Sequence, residues 1–179
     1  MTVLDEELVQ RVDQLGSFVW SGTTYRYTTA RRDPLSGAGA RLFGGRWNPK
    51  DIFATVYLAT PVEACLGEVR RSAEAQNTPV EEMLSVPYLL HTVDVDAVSI
   101  LDLRTETALE HVGLNLTDIA DLDWTACQSV GHAAWFLGLG GVLAPSATGD
   151  GLVLAAFENR VGGSLRLRES QPLTSKLLS

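Results

Sequence analysis

The chain has 179 residues, of which 45% are hydrophobic and 20% charged, with a formal net charge of −8. That length fits one domain, and the hydrophobic content is enough for a full core, which excludes a disordered chain. The acidic balance excludes broad, sequence-neutral binding to DNA or RNA, which needs a positive face, but leaves room for a small phosphate-bearing ligand in one pocket.

In chain order, Leu4, Leu8, Val12 and Leu15 recur at helical spacing and predict an amphipathic helix over 4–15. The Thr- and Tyr-rich alternation over 23–28 predicts a strand. Residues 33–49, with two prolines and glycines at 37, 39, 44 and 45, read as an ordered loop. A short apolar strand is expected over 53–59. Thr60-Pro61-Val62-Glu63 then has the pattern of a capping box with proline at the first helical position, so a helix should run over 61–75. Its apolar stripe is Val62, Cys65, Leu66, Val69 and Ala73, with Glu68 at the stripe's edge and Arg70 and Arg71 directed elsewhere. Strands are expected at 89–95 and 99–103, a short helix near Glu106, a helix over 123–137, and strands at 142–144, 152–158 and 164–168. With no repeat and no linker, these elements make one mixed α/β domain. The start of the chain carries neither positive charge nor an apolar run, and the uncharged stretch around 133–149 is broken by Gly138, Gly140, Gly141 and Pro145. Neither a signal peptide nor a membrane span is expected, and the cytoplasm is the expected location.

Charge is unevenly placed. Residues 25–50 hold six basic side chains (Arg26, Arg31, Arg32, Arg41, Arg46, Lys50) against one acid, Asp33, in a chain with 14 Lys and Arg in all. Arg46 lies in Gly44-Gly45-Arg46-Trp47-Asn48-Pro49, where paired glycines let the backbone approach a ligand and Trp47 offers a flat apolar wall. Two arginines and nearby aromatics suit a nucleotide diphosphate. Taken singly, the same arginines also fit surface ion pairs. Glu68 is placed to stabilise positive charge developing on a sugar ring, or else is a solvated helix glutamate. Ser129 and His132 lack a third partner, no His/Cys/acid cluster has metal-ligand spacing, and the glycines do not form a dinucleotide fingerprint. Cys65 and Cys127 fit buried free thiols.

Tyr25-Arg26, Pro34-Leu35-Ser36-Gly37, Gly44-Gly45-Arg46-Trp47-Asn48-Pro49, Tyr57-Leu58-Ala59 and a glutamate eleven residues after Tyr57 together resemble the RES domain family, over about 17–171. Members of that family are toxins of bacterial type II toxin-antitoxin systems. The resemblance implies a fold similar to ADP-ribosyltransferases, with a split mixed sheet around a cleft. It implies NAD+ as substrate and cleavage of its nicotinamide–ribose bond, by water in some members and by inorganic phosphate in others. It also implies a partner antitoxin with a helix-turn-helix DNA-binding region that blocks the cleft, in a hetero-oligomer. The family arginine and glutamate match Arg26 and Glu68. Tyr57 joins them as catalytic, and Tyr27, Arg46, Trp47 and Asn48 fall at NAD-binding positions. The family serine falls at Thr125, which keeps the hydroxyl and adds a methyl; Ser146 is a weaker match. A phosphate subsite could draw on Arg31, Arg32 or Arg41. The alternatives are an ADP-ribosyltransferase acting on a protein and a catalytically impaired module that engages only its antitoxin.

Overall fold

In the computed structural model, which describes residues 3–179, the chain begins with α1 (Glu6–Leu15). Asp5 caps it by accepting the Glu7 amide at 3.0 Å, and Glu6 and Glu7 sit at its positive end. Val12 is buried, with Leu8 and Leu15 packed beside it in a core shared with α7 (Thr125–Phe136).

Strand β1 (Phe18–Thr29) exceeds the predicted 23–28 because it pairs antiparallel with β3 (Tyr88–Asp102) along its whole length, from Phe18↔Ile100 to Thr29↔Tyr88. The same pairing fuses the two strands expected at 89–95 and 99–103. The interruption between them is a bulge. Ala97 has φ 51°, its N–H donates to Ser21 Oγ at 2.8 Å, and the register shifts between Trp20 and Gly22.

The segment expected to be all loop contains α2 (Ala38–Phe43), in which Ala38, Ala40 and Leu42 favour helix before Gly44 ends it. Strand β2 (Thr55–Thr60) runs into α3 (Val62–Ala75). The expected capping box does not form. Thr60 stays in the ladder opposite Leu152, so Pro61, in extended backbone, precedes the helix. Four short helices follow at α4 (Val80–Met83), α5 (Glu106–His111), α6 (Leu116–Ala120) and α8 (Glu158–Val161), with strands β4 (Gly141–Pro145), β5 (Leu152–Phe157) and β6 (Leu165–Pro172).

Among the described residues, six strands form one mixed sheet in the order β1-β2-β5-β4-β3-β6, giving a mixed α/β fold. β3 runs parallel to β4, and the crossover between them carries α5, α6 and α7. One edge of β3 pairs with β6 and then β4, while the other holds β1. Because β1 also meets β2 at Tyr25↔Ala59, the sheet closes on itself through a narrow seam. Alternation along the strands then sorts side chains. Val56 and Leu58 join a cluster with Val93, Ile100 and Leu154, whereas Tyr25, Tyr27 and Ala59 face the buried side of α3. Among the described residues, no helix is long and apolar enough to cross a membrane.

Helix α7 meets the 44–49 loop backbone to backbone. A Cβ on Gly131 would overlap the Trp47 carbonyl oxygen and lie 2.7 Å from its carbon. In an open helix, Gly→Ala is stabilising by about 1 kcal/mol. Here Gly131→Ala is expected to destabilise by about 1–3 kcal/mol, read from a lowered denaturant midpoint. An unchanged or raised midpoint would contradict this packing.

Candidate active site

Glu68, Arg71, Ser72 and Ala75 recur at i, i+3, i+4 and i+7 on α3, so they share one face, and that face lines a cavity of about 430 Å³. Across it lie Gly44–Trp47 and Tyr57. Leu122 and Trp124, from the connection between α6 and α7, form the rim, and Ala147 and Thr148 come from the turn between β4 and β5.

The loop opposite α3 is held by a small polar network. Tyr57 Oη donates to Asn48 Oδ1 at 2.7 Å and accepts the Trp47 N–H at 2.9 Å. Asn48 Nδ2 donates to the Ala40 carbonyl at 2.8 Å, tying the loop to α2, and Gln128 Nε2 donates to the Gly45 carbonyl at 3.0 Å, tying it to α7. A Cβ at Gly45 would lie 2.6 Å from Asn48 Oδ1, so this close approach requires glycine.

The cavity places one carboxylate near two cations. Burial raises the Glu68 pKa to about 7, opposed first by Arg71 and then by Arg46. Among the described residues neither arginine is paired with a carboxylate; the ion pairs use Arg11, Arg104, Arg166 and Arg168. Both donate instead to backbone carbonyls: Arg46 to Asp118 (3.2 Å) and Asp121 (2.8 Å), Arg71 to Ala147 (2.7 Å) and Ala120 (3.2 Å). Arg46 also lies 5.7 Å from the Trp124 ring centroid. The site therefore has positive charge not offset by an acid, a partly exposed aromatic and a carboxylate whose pKa desolvation raises.

The expected site residues separate into two groups. Glu68, Tyr57, Arg46 and Trp47 line the cavity. Trp47 is only 1% exposed, however, and its ring belongs to the core; Trp124, 38% exposed, presents the accessible aromatic face instead. Asn48 is fully buried and spends its side chain on Ala40 and Tyr57, so it supports the loop and does not face the ligand space. Tyr27 packs beside Tyr88 and near Ser72 and Glu68, behind the lining, with burial pushing its phenol up to about 12. Thr125 stands exposed at the start of α7, its hydroxyl donating to Asp123 Oδ1 at 2.7 Å, adjacent in sequence to Trp124 but outside the lining. Arg26 is also outside it. Strand alternation turns Arg26 away from Tyr25 and Tyr27, and its guanidinium donates to the Pro34 (2.7 Å) and Ser36 (3.0 Å) carbonyls. Arg31, Arg32 and Arg41 are exposed and do not line the cavity. Arg71, thought to point elsewhere, does; its i+3 spacing from Glu68 was the available signal. Trp124 and Thr148 carried no such signal. Cys65 and Cys127 are buried free thiols, with burial raising them to about 12 and about 11.

The fold and this cavity agree with a family assignment: the RES domain model matches residues 20–175, and the chain belongs to that family. It is 55% identical over 175 residues to the NAD(+) phosphorylase MbcT of Mycobacterium tuberculosis (strain ATCC 25618 / H37Rv), covering 97% of this chain and 94% of that one, and equally so to the protein of that name in Mycobacterium bovis. The solved M. tuberculosis MbcT-MbcA toxin-antitoxin complex superposes with a TM-score of 0.92 at 54% identity, covering 98% of this chain and 97% of that one.

Proposed function

We propose that this chain is the toxin of a toxin-antitoxin pair and an enzyme that depletes NAD+ by cleaving its nicotinamide–ribose bond, with inorganic phosphate as acceptor. The observation that carries the reading is the Glu68 carboxylate, half-buried and desolvated in a cavity with two arginines that have no acidic partner among the described residues. Arg46 holds the pyrophosphate of the dinucleotide, and Trp124 gives a face for an aromatic ring. Tyr57 and Asn48 keep the Gly44–Trp47 wall in place. Glu68 hydrogen-bonds the ribose and favours positive charge on it as the bond to nicotinamide lengthens. A phosphate oxygen forms the new bond to the anomeric carbon. The electron pair of the old bond passes to the nicotinamide nitrogen, which leaves neutral and needs no acid.

The partner in this reading is an antitoxin with a helix-turn-helix region that covers the cleft, within a hetero-oligomer in the cytoplasm. Its support is exposed apolar surface: Leu122 (86% exposed) and Trp124 line the cavity, and Leu42 and Phe43, also exposed, precede the cavity-lining Gly44 in sequence. The net charge of −8 argues against nucleic-acid binding by this chain itself.

The test is to incubate the isolated chain with NAD+, with and without phosphate, and identify the sugar product by mass. Nicotinamide release that depends on phosphate, with ADP-ribose phosphorylated at its anomeric carbon, is the expected result. Intact NAD+ under both conditions would defeat the reading. ADP-ribose found on added protein would replace it with a transferase.

A further inference from the structure

The proposed phosphorolysis needs a place for a second anion beside the dinucleotide's pyrophosphate, and two anions are better offset by two cations than by one. We propose that Arg71, together with the Ser146–Thr148 hydroxyl pair, forms the seat for the attacking orthophosphate, separate from the Arg46 subsite for the dinucleotide. The inference rests on the phosphorolysis reading above.

Several observations converge on this corner of the cavity. Arg71 lies one helical turn after Glu68 on the same face of α3, so an anion held by Arg71 sits next to the carboxylate that faces the ribose. A phosphate oxygen has to come within bonding distance of that ribose carbon. A phosphate dianion beside an ionised carboxylate is repelled, and a cation between them offsets the repulsion. Of the two cavity arginines, Arg71 acts more strongly on Glu68. Its bonds to the Ala147 and Ala120 carbonyls fix the guanidinium while leaving further N–H donors for a ligand. The turn that holds Arg71 also supplies a hydroxyl. Thr148 lines the cavity and packs over Gly67, the residue before Glu68. Its Oγ1 lies 2.9 Å from Ser146 Oγ, which is 3% exposed. With Ser146 donating to Thr148, the Thr148 proton is directed to a third oxygen, and orthophosphate has oxygens to accept it. Arg46 is differently placed, stacked near Trp124 and bonded to the α6–α7 connection, which suits the longer dinucleotide. No proton transfer is needed at the subsite: hydrogen phosphate keeps its proton as its other oxygen bonds to carbon.

The experiment measures KM for phosphate and for NAD+ separately in wild type, Arg71→Gln, Arg71→Lys and Thr148→Val, with thermal melts as a control on folding. Arg71→Gln is expected to raise the phosphate KM about tenfold or more while the NAD+ KM stays within about threefold, and to shift product from anomeric phosphate towards plain ADP-ribose. Arg71→Lys, which keeps the charge and loses the fork, should recover part of that loss. Thr148→Val, which keeps the shape and removes the hydroxyl, should raise the phosphate KM about threefold. The proposal is overturned if Arg71→Gln and Thr148→Val leave the phosphate KM unchanged, or if both KM values rise together. A wild type that cleaves NAD+ with no dependence on phosphate overturns the phosphorolysis reading and this inference with it. A phosphate-dependent wild type with unresponsive variants overturns the inference alone.

Discussion

Glu68→Gln is expected to lower kcat/KM for NAD+ cleavage by about 1000-fold or more and, at pH 8, to make the protein more stable. Both effects follow from one fact, the desolvation of a half-buried carboxylate with no hydrogen-bond partner among the described residues. Burial raises the Glu68 pKa from 4.5 to about 7, so the folded protein holds that proton more tightly than the unfolded chain does. Stability from this group is therefore present below pH 4.5 and is lost as pH rises through 7. The loss amounts to about 1–3 kcal/mol. Glutamine never ionises, so the variant escapes it. Its advantage should be absent near pH 4, grow between pH 4.5 and 7, and reach roughly 3–8 °C in Tm above pH 7. Wild-type activity should rise with pH through about 7 as the carboxylate ionises. Thermal melts and initial rates across that range check all three. A variant that keeps more than about a tenth of the activity would remove Glu68 from the centre of the mechanism, and one less stable than wild type at pH 8 would overturn the desolvation of its carboxylate.

Arg26→Met separates two ways in which an arginine can be indispensable. If its guanidinium gripped the substrate, the variant would be inactive and as stable as wild type. The structure points to the other outcome. Arg26 donates to the Pro34 and Ser36 carbonyls, and the next residue, Gly37, donates its N–H to Glu158 Oε1 at 2.6 Å. These bonds anchor the segment that leads into α2 and then into the Gly44–Trp47 wall. Burial lowers the Arg26 pKa, and Arg32 nearby adds to this, so the site has a use for the charge-assisted bonds that hold it. Removing them strands two carbonyls. The expected loss is about 2–3 kcal/mol, or roughly 5–10 °C in Tm. Activity should fall mainly through a raised KM for NAD+, as the wall loosens. Undiminished stability with abolished turnover would place the Arg26 guanidinium on the substrate after all.

Local pattern was enough wherever a residue's neighbours in sequence are also its neighbours in space. The helices at 4–15, 61–75 and 123–137 appear close to their predicted spans because apolar spacing at 3.6 residues per turn is a local property. Predicted boundaries failed where a distant strand intervened: Thr60 was claimed by Leu152, and the gap between 95 and 99 was bridged by β1. The site divided the same way. Glu68 and Arg46 stood out by their setting, but pattern alone also fitted a solvated glutamate and a surface-paired arginine, and the resemblance to the RES family singled them out. Arg71 was legible at i+3, but a helix read for its apolar stripe yields one face, and the cavity uses the other.

Sequence by itself determined the mixed α/β class and the acidic balance, written in spacing and composition, while its resemblance to the RES family pointed to the Glu68 carboxylate. Only the tertiary structure decided which arginines meet that carboxylate. It drew Arg71 and Trp124 into the cavity lining, left Arg26 outside it on the Pro34 and Ser36 carbonyls, and buried Asn48 and the Trp47 ring. Whether a charged side chain faces a ligand or a backbone carbonyl depends on how separate elements close around it, and no interval along the chain encodes that distance.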